Sequence, residues 1–343
     1  MSTRVLIVDD SAVVRQILTR ALSADPEIEV VGAAPDPYVA RQQIAKHKPD
    51  VLTLDVEMPR MDGITFLRHL MRSHPLPVIV LSSLTTRGSR SAVAALEAGA
   101  VEVVAKPDGS FSVGDLGREL AAVVKRAARI SVRKRDTAPR NVERLSMAET
   151  TDKVLAIGAS TGGVGALTEV LRRFPATAPG TVVVQHMPPA FTRSFADRLN
   201  QQCAVQLEEA ADGDSVAPGR VLIAPGGSHM ELRRSGARYH VVLTDGPEEH
   251  HQKPAVDVLF RSVAKFAGAN AIGAVLTGMG ADGAAGLLAM KNAGAATLVQ
   301  DEKTSVVWGM PGECVKLGAT DRQVPLERVA EELLALASTR AAA

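Results

Sequence analysis

Residues 154–165 read VLAIGASTGGVG: an apolar run that stops at Gly158, a serine set among small residues, and glycines crowding the next turn. Three readings compete for this strand-to-helix junction. It is a phosphate-cradling loop, a strained turn that exposes a nucleophile, or a plain glycine-rich connection. A Walker loop needs Gly-x-x-x-x-Gly-Lys-Ser/Thr, but no lysine follows here and the next basic residue is Arg172. Gly158, Gly162, Gly163 and Gly165 also miss the G-x-G-x-x-G spacing of a dinucleotide site. Read as G-x-S-x-G, residues 158–162 form a tight turn that lifts the Ser160 hydroxyl clear of a sheet. The N–H groups that follow lie at a helix start, where negative charge is favoured. Serines are also common helix caps, so Ser160 needs a base and a third group before it counts as a nucleophile.

The base candidate is His186 in TVVVQHMPP, which follows a second strand and precedes a turn set by Pro188 and Pro189. A histidine there also fits a purely structural role. The third group is Asp282 in AVLTGMGADGAAG, just beyond another strand, in a loop kept compact by glycines. Parallel strands would bring Ser160, His186 and Asp282 to one sheet edge, in the crevice where such folds bind ligands. The histidine could then take the serine proton while the aspartate holds the ring. The chain order Ser, His, Asp departs from the Ser, Asp, His order of ordinary α/β-hydrolases.

Outward from this stretch, the chain divides. Its 343 residues predict two domains, and 46% apolar residues against 3% aromatic predict cores built from Val, Leu, Ile and Ala. The second αβ series runs over 153–337, with strands in KVLAIG, TVVVQH, RVLIAP, YHVVLT, AIGAVLTG and ATLVQ and a β-hairpin within 219–246. The first runs over 1–124, with strands in RVLIV, VLTLDV, VIVLSS and VEVVAKP. These are nearly continuous apolar runs, as strands of a buried parallel sheet should be. Between the first two, Val13, Val14, Ile17, Leu18 and Ala21 form one helical stripe, so helices should cover both faces. Residues 125–152 are expected to form a basic linker; eight Lys or Arg against two acids in 125–144 also suit a contact arm for an acidic partner or nucleic acid.

A net charge of +1 argues against a generally basic nucleic-acid binder and against a disordered acidic chain. Cys203 and Cys314 have no metal-ligand spacing, and a reducing compartment fits them better than a disulfide framework. No secretory-length apolar run opens the chain and no stretch reaches a membrane span, so the expected setting is cytoplasmic and not membrane-inserted.

In the first domain Asp9 and Asp10 end a strand, Asp55 lies near the end of another, and Ser82 and Lys106 follow two more. Three carboxylates at one sheet edge repel unless a cation sits among them, and a hard divalent ion such as Mg²⁺ suits oxygen ligands. A lysine and a hydroxyl nearby suit a phosphoryl group. The plainer reading leaves the aspartates as a helix cap and Lys106 solvated.

VDDSAVVRQ, LTLDVEMPRMDG, VLSS and AKP closely resemble the receiver domain of two-component response regulators, a flavodoxin-like fold. The resemblance implies Asp55 as phosphoacceptor, Mg²⁺ held by Asp10, Asp55 and the backbone of Glu57 with Asp9 beside them, and Ser82 and Lys106 supporting the phosphoryl group. IGASTGG, VVQHMP, PGGSHM, KPAVDVLF and LTGMGADGAAG closely resemble the catalytic domain of the chemotaxis methylesterase (CheB) family, whose members act as protein-glutamate methylesterase and protein-glutamine glutaminase. That resemblance implies a doubly wound parallel-sheet domain with Ser160 as nucleophile, His186 as base, Asp282 as orienting carboxylate and the Met279 N–H in the oxyanion hole. It implies no cofactor for hydrolysis, methyl-accepting chemoreceptors as substrate, a chemotaxis histidine kinase as phosphodonor and no nucleic-acid partner. A linker this long transmits force poorly, so control is expected to act through a direct domain interface, with the unphosphorylated receiver limiting receptor access to the catalytic groove. One segment departs from the family: where Asn-x-His-Arg-Pro is frequent, this chain reads His250-His251-Gln252-Lys253-Pro254.

Overall fold

The computed structural model of the chain describes residues 2–58, 61–83, 85–106, 113–130, 132, 145–146 and 151–338. The chain separates into two compact units, 1–139 and 140–343. Most of the expected basic linker, and Pro107 after Lys106, lie outside the described residues.

In the first unit, strands β1 (Thr3–Val8), β2 (Ile28–Ala34), β3 (Val51–Asp55), β4 (Val78–Ser82) and β5 (Glu102–Ala105) alternate with helices α1 (Ala12–Ser23), α2 (Pro37–His47), α3 (Gly63–Ser73), α4 (Thr86–Ala98) and α5 (Val113–Ala127). The sheet order is β2-β1-β3-β4-β5, and every pairing is parallel. β3 and β4 are buried along their whole lengths, which explains their unbroken apolar runs. β2, whose IEVVGAA pattern carries an acid and a glycine, is the strand that the sequence reading passed over. α5 continues to Ala127, three residues into the expected linker, and Lys125 at its last turn bridges Asp25 and Glu27 at 2.8 and 2.9 Å.

Val13 corrects the helical stripe: it is 64% exposed, while Leu18, Ala21 and Leu22 are the buried residues of α1. The first turn of α1 stands at the strand-end edge, so the apolar period outruns the sheet that could cover it. Ser11 caps this helix, accepting from the Val14 N–H.

In the second unit, β6 (Val154–Ala159), α6 (Gly163–Leu171), β7 (Gly180–Gln185), α7 (Pro189–Asn200), β8 (Gln206–Glu209), β9 (Ser215–Val216), β10 (Arg220–Ile223), β11 (His229–Ser235), β12 (Arg238–Thr244), α8 (Val256–Phe266), β13 (Ala271–Val275), α9 (Ala284–Asn292), β14 (Ala296–Gln300), α10 (Met310–Lys316), β15 (Gln323–Val324) and α11 (Leu326–Ser338) follow in order. A seven-stranded sheet runs β15-β14-β13-β6-β7-β10-β8 with all pairs parallel. The expected hairpin is β11 and β12, joined by β9 into a separate antiparallel sheet. β6 enters at the middle; the chain builds outward through β7, then returns to lay β13 on the other side. That reversal opens a crevice at the strand C-termini between β6 and its neighbours, the ligand position of doubly wound folds. No helix among the described residues is long and apolar enough to cross a membrane.

Candidate functional site

Ser160 follows β6, His186 follows β7, and Asp282 lies in the loop between β13 and α9. Three adjacent strands of one parallel sheet therefore deliver them to the same edge. The His186 Nε2–H donates to Asp282 Oδ2 at 2.8 Å, and both side chains are buried, 5% and 1% exposed. A carboxylate only accepts, so this contact assigns the ring proton to Nε2 and leaves the Nδ1 lone pair as the basic atom. No hydrogen bond joins Ser160 Oγ to His186 among the described residues.

Asp282 is held from a second direction. Its Oδ2 accepts the Val256 N–H at 2.7 Å and its Oδ1 the Asp257 N–H at 2.8 Å. These are the first two amides of α8, whose N-cap residue, Ala255, supplies no side-chain cap. The carboxylate from the neighbouring loop caps the helix in its place, where the helix dipole favours negative charge. Burial alone would raise the Asp282 carboxyl, but the His186 ring and the two helix N–H groups outweigh it and hold the group below the ordinary carboxylate value.

The nucleophile turn is built by close contacts. The Ser160 N–H donates to Thr277 O at 3.1 Å, and Ser160 O accepts the Gly163 N–H at 2.7 Å. A side chain at Gly158 would collide with Val256 of α8, and one at Gly278 would stand 2.9 Å from Ser160 Cβ. Because the Ser160 N–H is engaged, it is not available to a developing oxyanion. The N–H groups of Thr161, Gly162 and Met279 have no hydrogen-bond partner among the described residues. Gln185, which closes β7, donates through Nε2 to both Ser160 O and His186 O at 3.0 Å, tying the two turns together.

The first unit brings its expected residues together as well. Lys106 Nζ lies 2.7 Å from Asp55 Oδ2 and 3.0 Å from Asp9 Oδ2. Lys106 is thus a partly buried counter-charge bonded to two carboxylates and not a freely solvated side chain, and Asp9 Oδ1 also accepts the Ser11 N–H at 2.9 Å. Burial would lower the Lys106 ammonium, but Asp55 and Asp9 hold it above its ordinary value. Burial pushes the Asp9 carboxyl up despite the lysine. Asp9, Asp10 and Asp55 each present a carboxylate oxygen within 4.8 Å of the others. Against these three clustered carboxylates stands one lysine, shared between Asp9 and Asp55, so the donor set fits a hard cation. The Glu57 N–H donates to Asp55 Oδ1 at 3.0 Å, placing that backbone beside the cluster. Ser82 is at the same edge, but its hydroxyl donates to Gly88 O of α4 at 2.8 Å and is not directed at Asp55.

Sequence reasoning missed Asp257 and Gln185. Asp257 is 1% exposed and sits at the start of α8. Its signal was an acid in a helical first turn, which ordinarily faces solvent. Gln185 was signalled only as a polar residue ending an apolar strand.

Comparison with known proteins follows the same division. A family model described as CheB methylesterase matches residues 155–333, and one described as response regulator receiver domain matches residues 5–111. The chain is 56% identical over 336 residues to protein-glutamate methylesterase/protein-glutamine glutaminase 2 of Syntrophus aciditrophicus, covering 96% of this chain and 98% of that one. It is 53% identical over 348 residues to protein-glutamate methylesterase/protein-glutamine glutaminase 1 of Xanthomonas campestris pv. campestris, covering 98% and 97%. The crystal structure of the Thermotoga maritima CheB methylesterase catalytic domain is 36% identical, with a TM-score of 0.53 and coverage of 55% of this chain and 100% of that chain.

Proposed function

The chain belongs to the CheB methylesterase family, and from that premise we propose that it is a phosphorylation-regulated serine hydrolase that demethylates glutamate methyl esters, and deamidates glutamines, on methyl-accepting chemotaxis receptors. The observation that carries the reading is the His186–Asp282 contact of 2.8 Å at the sheet edge from which Ser160 emerges.

Ser160 Oγ attacks the ester carbonyl carbon while His186 Nδ1 takes its proton. The resulting imidazolium is stabilised by Asp282 through Nε2–H. The negative charge on the former carbonyl oxygen is met by the Met279 N–H, with the free amides of Thr161 and Gly162 at the start of α6 as further donors. Collapse breaks the bond to the leaving oxygen, which takes the proton from Nδ1 and departs as methanol. Water then repeats the cycle on the acyl-enzyme: Nδ1 accepts its proton, the hydroxide oxygen bonds to the acyl carbon, and Ser160 leaves reprotonated with a free glutamate side chain. With glutamine the leaving group is ammonia, which asks more of the protonated ring.

Control resides in the first unit. Asp55 is the phosphoacceptor, a chemotaxis histidine kinase the donor, and Lys106 the counter-charge for the phosphoryl group. Mg²⁺, when bound, would neutralise charge at the attacking carboxylate, with Asp9, Asp10, Asp55 and the Glu57 backbone as its holders. Ser82 must exchange its bond to Gly88 O before its hydroxyl can serve the phosphoryl oxygens. The decisive assay is methanol release from methylated receptor membranes with and without a phosphodonor. A serine-directed phosphonate should label Ser160 and abolish release; labelling elsewhere with full inhibition would overturn the nucleophile assignment.

A further inference from the structure

Asp282 and Asp257 cap each other's helices. Asp282, just before α9, receives the two first amides of α8. Asp257, in the first turn of α8, receives through Oδ1 the Gly286 N–H of α9 at 2.5 Å. Gly286 permits this approach, since a side chain there would collide with Phe260 and the Asp257 carboxylate. The second Asp257 oxygen accepts from His250 Nε2 at 3.0 Å. A continuous chain therefore runs from a half-exposed histidine to the proposed catalytic base: His250, Asp257, its own N–H, Asp282, His186.

We propose that Asp257, partnered by His250, is a positioning residue for this reaction: it locks α8 against α9 so that Asp282 keeps its place, and its negative charge strengthens His186 as a base. The proposal rests on the Ser160–His186–Asp282 reading. The charged surroundings are few. Asp282 faces Asp257 from the β13–α9 loop, His250 and Glu249 from the segment before α8, and Cys314 from α10, where burial pushes the thiol up and keeps it neutral. Arg261, one turn along α8, is bound through two bonds to Glu249, at 2.7 and 2.5 Å, and also feels the charges of Asp257 and Asp282 at longer range. The same commitments of Glu249 and Asp257 argue against reading Glu249, His250 and Asp257 as a metal site, although their ligand atoms lie within reach of one another.

Burial, followed by the charge of Asp282, pushes the Asp257 carboxyl above its ordinary value. Both Asp257 oxygens accept hydrogen bonds, from Gly286 and His250, as those of a carboxylate do, and a buried acid held in this way beside a cleft is a candidate for a functional charge. His250 offsets part of the cost of burial. It holds a positive φ of 54°, a conformation that Asn tolerates better than most side chains.

The test uses the full-length protein and two readouts, the pH profile of methanol release from methylated receptor and the NMR titration of the His186 ring. Asp257→Asn keeps an acceptor for Gly286 and removes the charge. It should melt no lower than wild type, keep KM, lose plateau kcat several-fold, and move both the acid limb and the His186 midpoint down by about half a pH unit or more. His250→Gln, whose amide nitrogen reaches about as far as the imidazole Nε2 and can still donate to Asp257, should retain most of the rate. His250→Leu should approach the Asp257→Asn profile at the acid end of the range. Unchanged midpoints in a folded Asp257→Asn protein would overturn the proposal, as would a rate loss accompanied only by a lower melting temperature. If the ring midpoint falls and the methanol-release limb stays, Asp257 tunes His186 and the assignment of His186 as the base is what fails.

Discussion

The main chain of Ser160 is tied on both sides. Its amide and carbonyl are bonded to Thr277, Gly163 and Gln185, and its hydroxyl is the group left over. Ser160→Ala should therefore melt like wild type and lose methanol release by at least ~10³-fold, the scale for removing a nucleophile. Asp282→Asn should lose roughly 10²–10⁴-fold, because an amide can turn its NH₂ toward the ring and favour the other tautomer. A ¹⁵N spectrum of His186 checks the cause, with the proton moving from Nε2 to Nδ1. Gly278→Ala tests how tightly the turn is set, since the added methyl would meet Met310 Sδ and Ser160 Cβ. A loss of about 1–3 kcal/mol in denaturant stability is the expected result of such overpacking, with kcat falling alongside. Ser160, His186 and Asp282 were legible because each sits within a few residues of an apolar run. The direction of the Ser82 hydroxyl was not, because it depends on how close α4 comes to β4.

Among the secondary-structure elements, α8 and α9 carry the site's electrostatics, and their two carboxylates have opposite pH signatures. Asp282 titrates below its unfolded value, so its contribution is present above about pH 4 and is lost as pH falls through the folded value. Asp257 titrates above its unfolded value, so stability falls as pH rises through the window between 3.8 and the folded value. At pH 7, Asp282→Asn should thus cost stability, on the order of 1–3 kcal/mol, while Asp257→Asn should be neutral or stabilising. Urea titrations at pH 7 and pH 3 measure both, and the Asp282→Asn deficit should shrink at the lower pH. The sequence placed α8 by its apolar period and gave Asp257 the look of a solvent-facing first-turn acid. Burial of that acid follows from α9 packing across it, which no pattern within VDVLF records.

For the whole molecule, the two units have separate cores, one around the sheet containing β1 and β3 and one around the sheet containing β6 and β13. Calorimetry should resolve two transitions that respond to different substitutions. Lys106→Met leaves Asp9 and Asp55 without their lysine and should lower one transition only, by about 1–3 kcal/mol for a partly buried pair. Added Mg²⁺ should restore part of that loss, since a ligand that binds the folded state stabilises it. Asp282→Asn should lower the other transition only. A single transition moved by both substitutions would contradict two independent cores. The gathering of Ser160, His186 and Asp282 at one sheet edge, and of Asp9, Asp55 and Lys106 at the other, was legible in the sequence because local signals carry it: an apolar run defines a buried parallel strand, and the residue just beyond it must reach the common edge. Tertiary structure alone decided which His186 nitrogen meets Asp282, that Ser160's own amide is consumed by Thr277, and that Asp257 and His250 stand behind the dyad. These facts join residues 160, 186, 250, 257, 277, 282 and 286, which meet only because the strand order reverses at β6 and lays α8 against α9. Hydrogen-bond partners are chosen at ångström range, and the packing of distant elements sets that range.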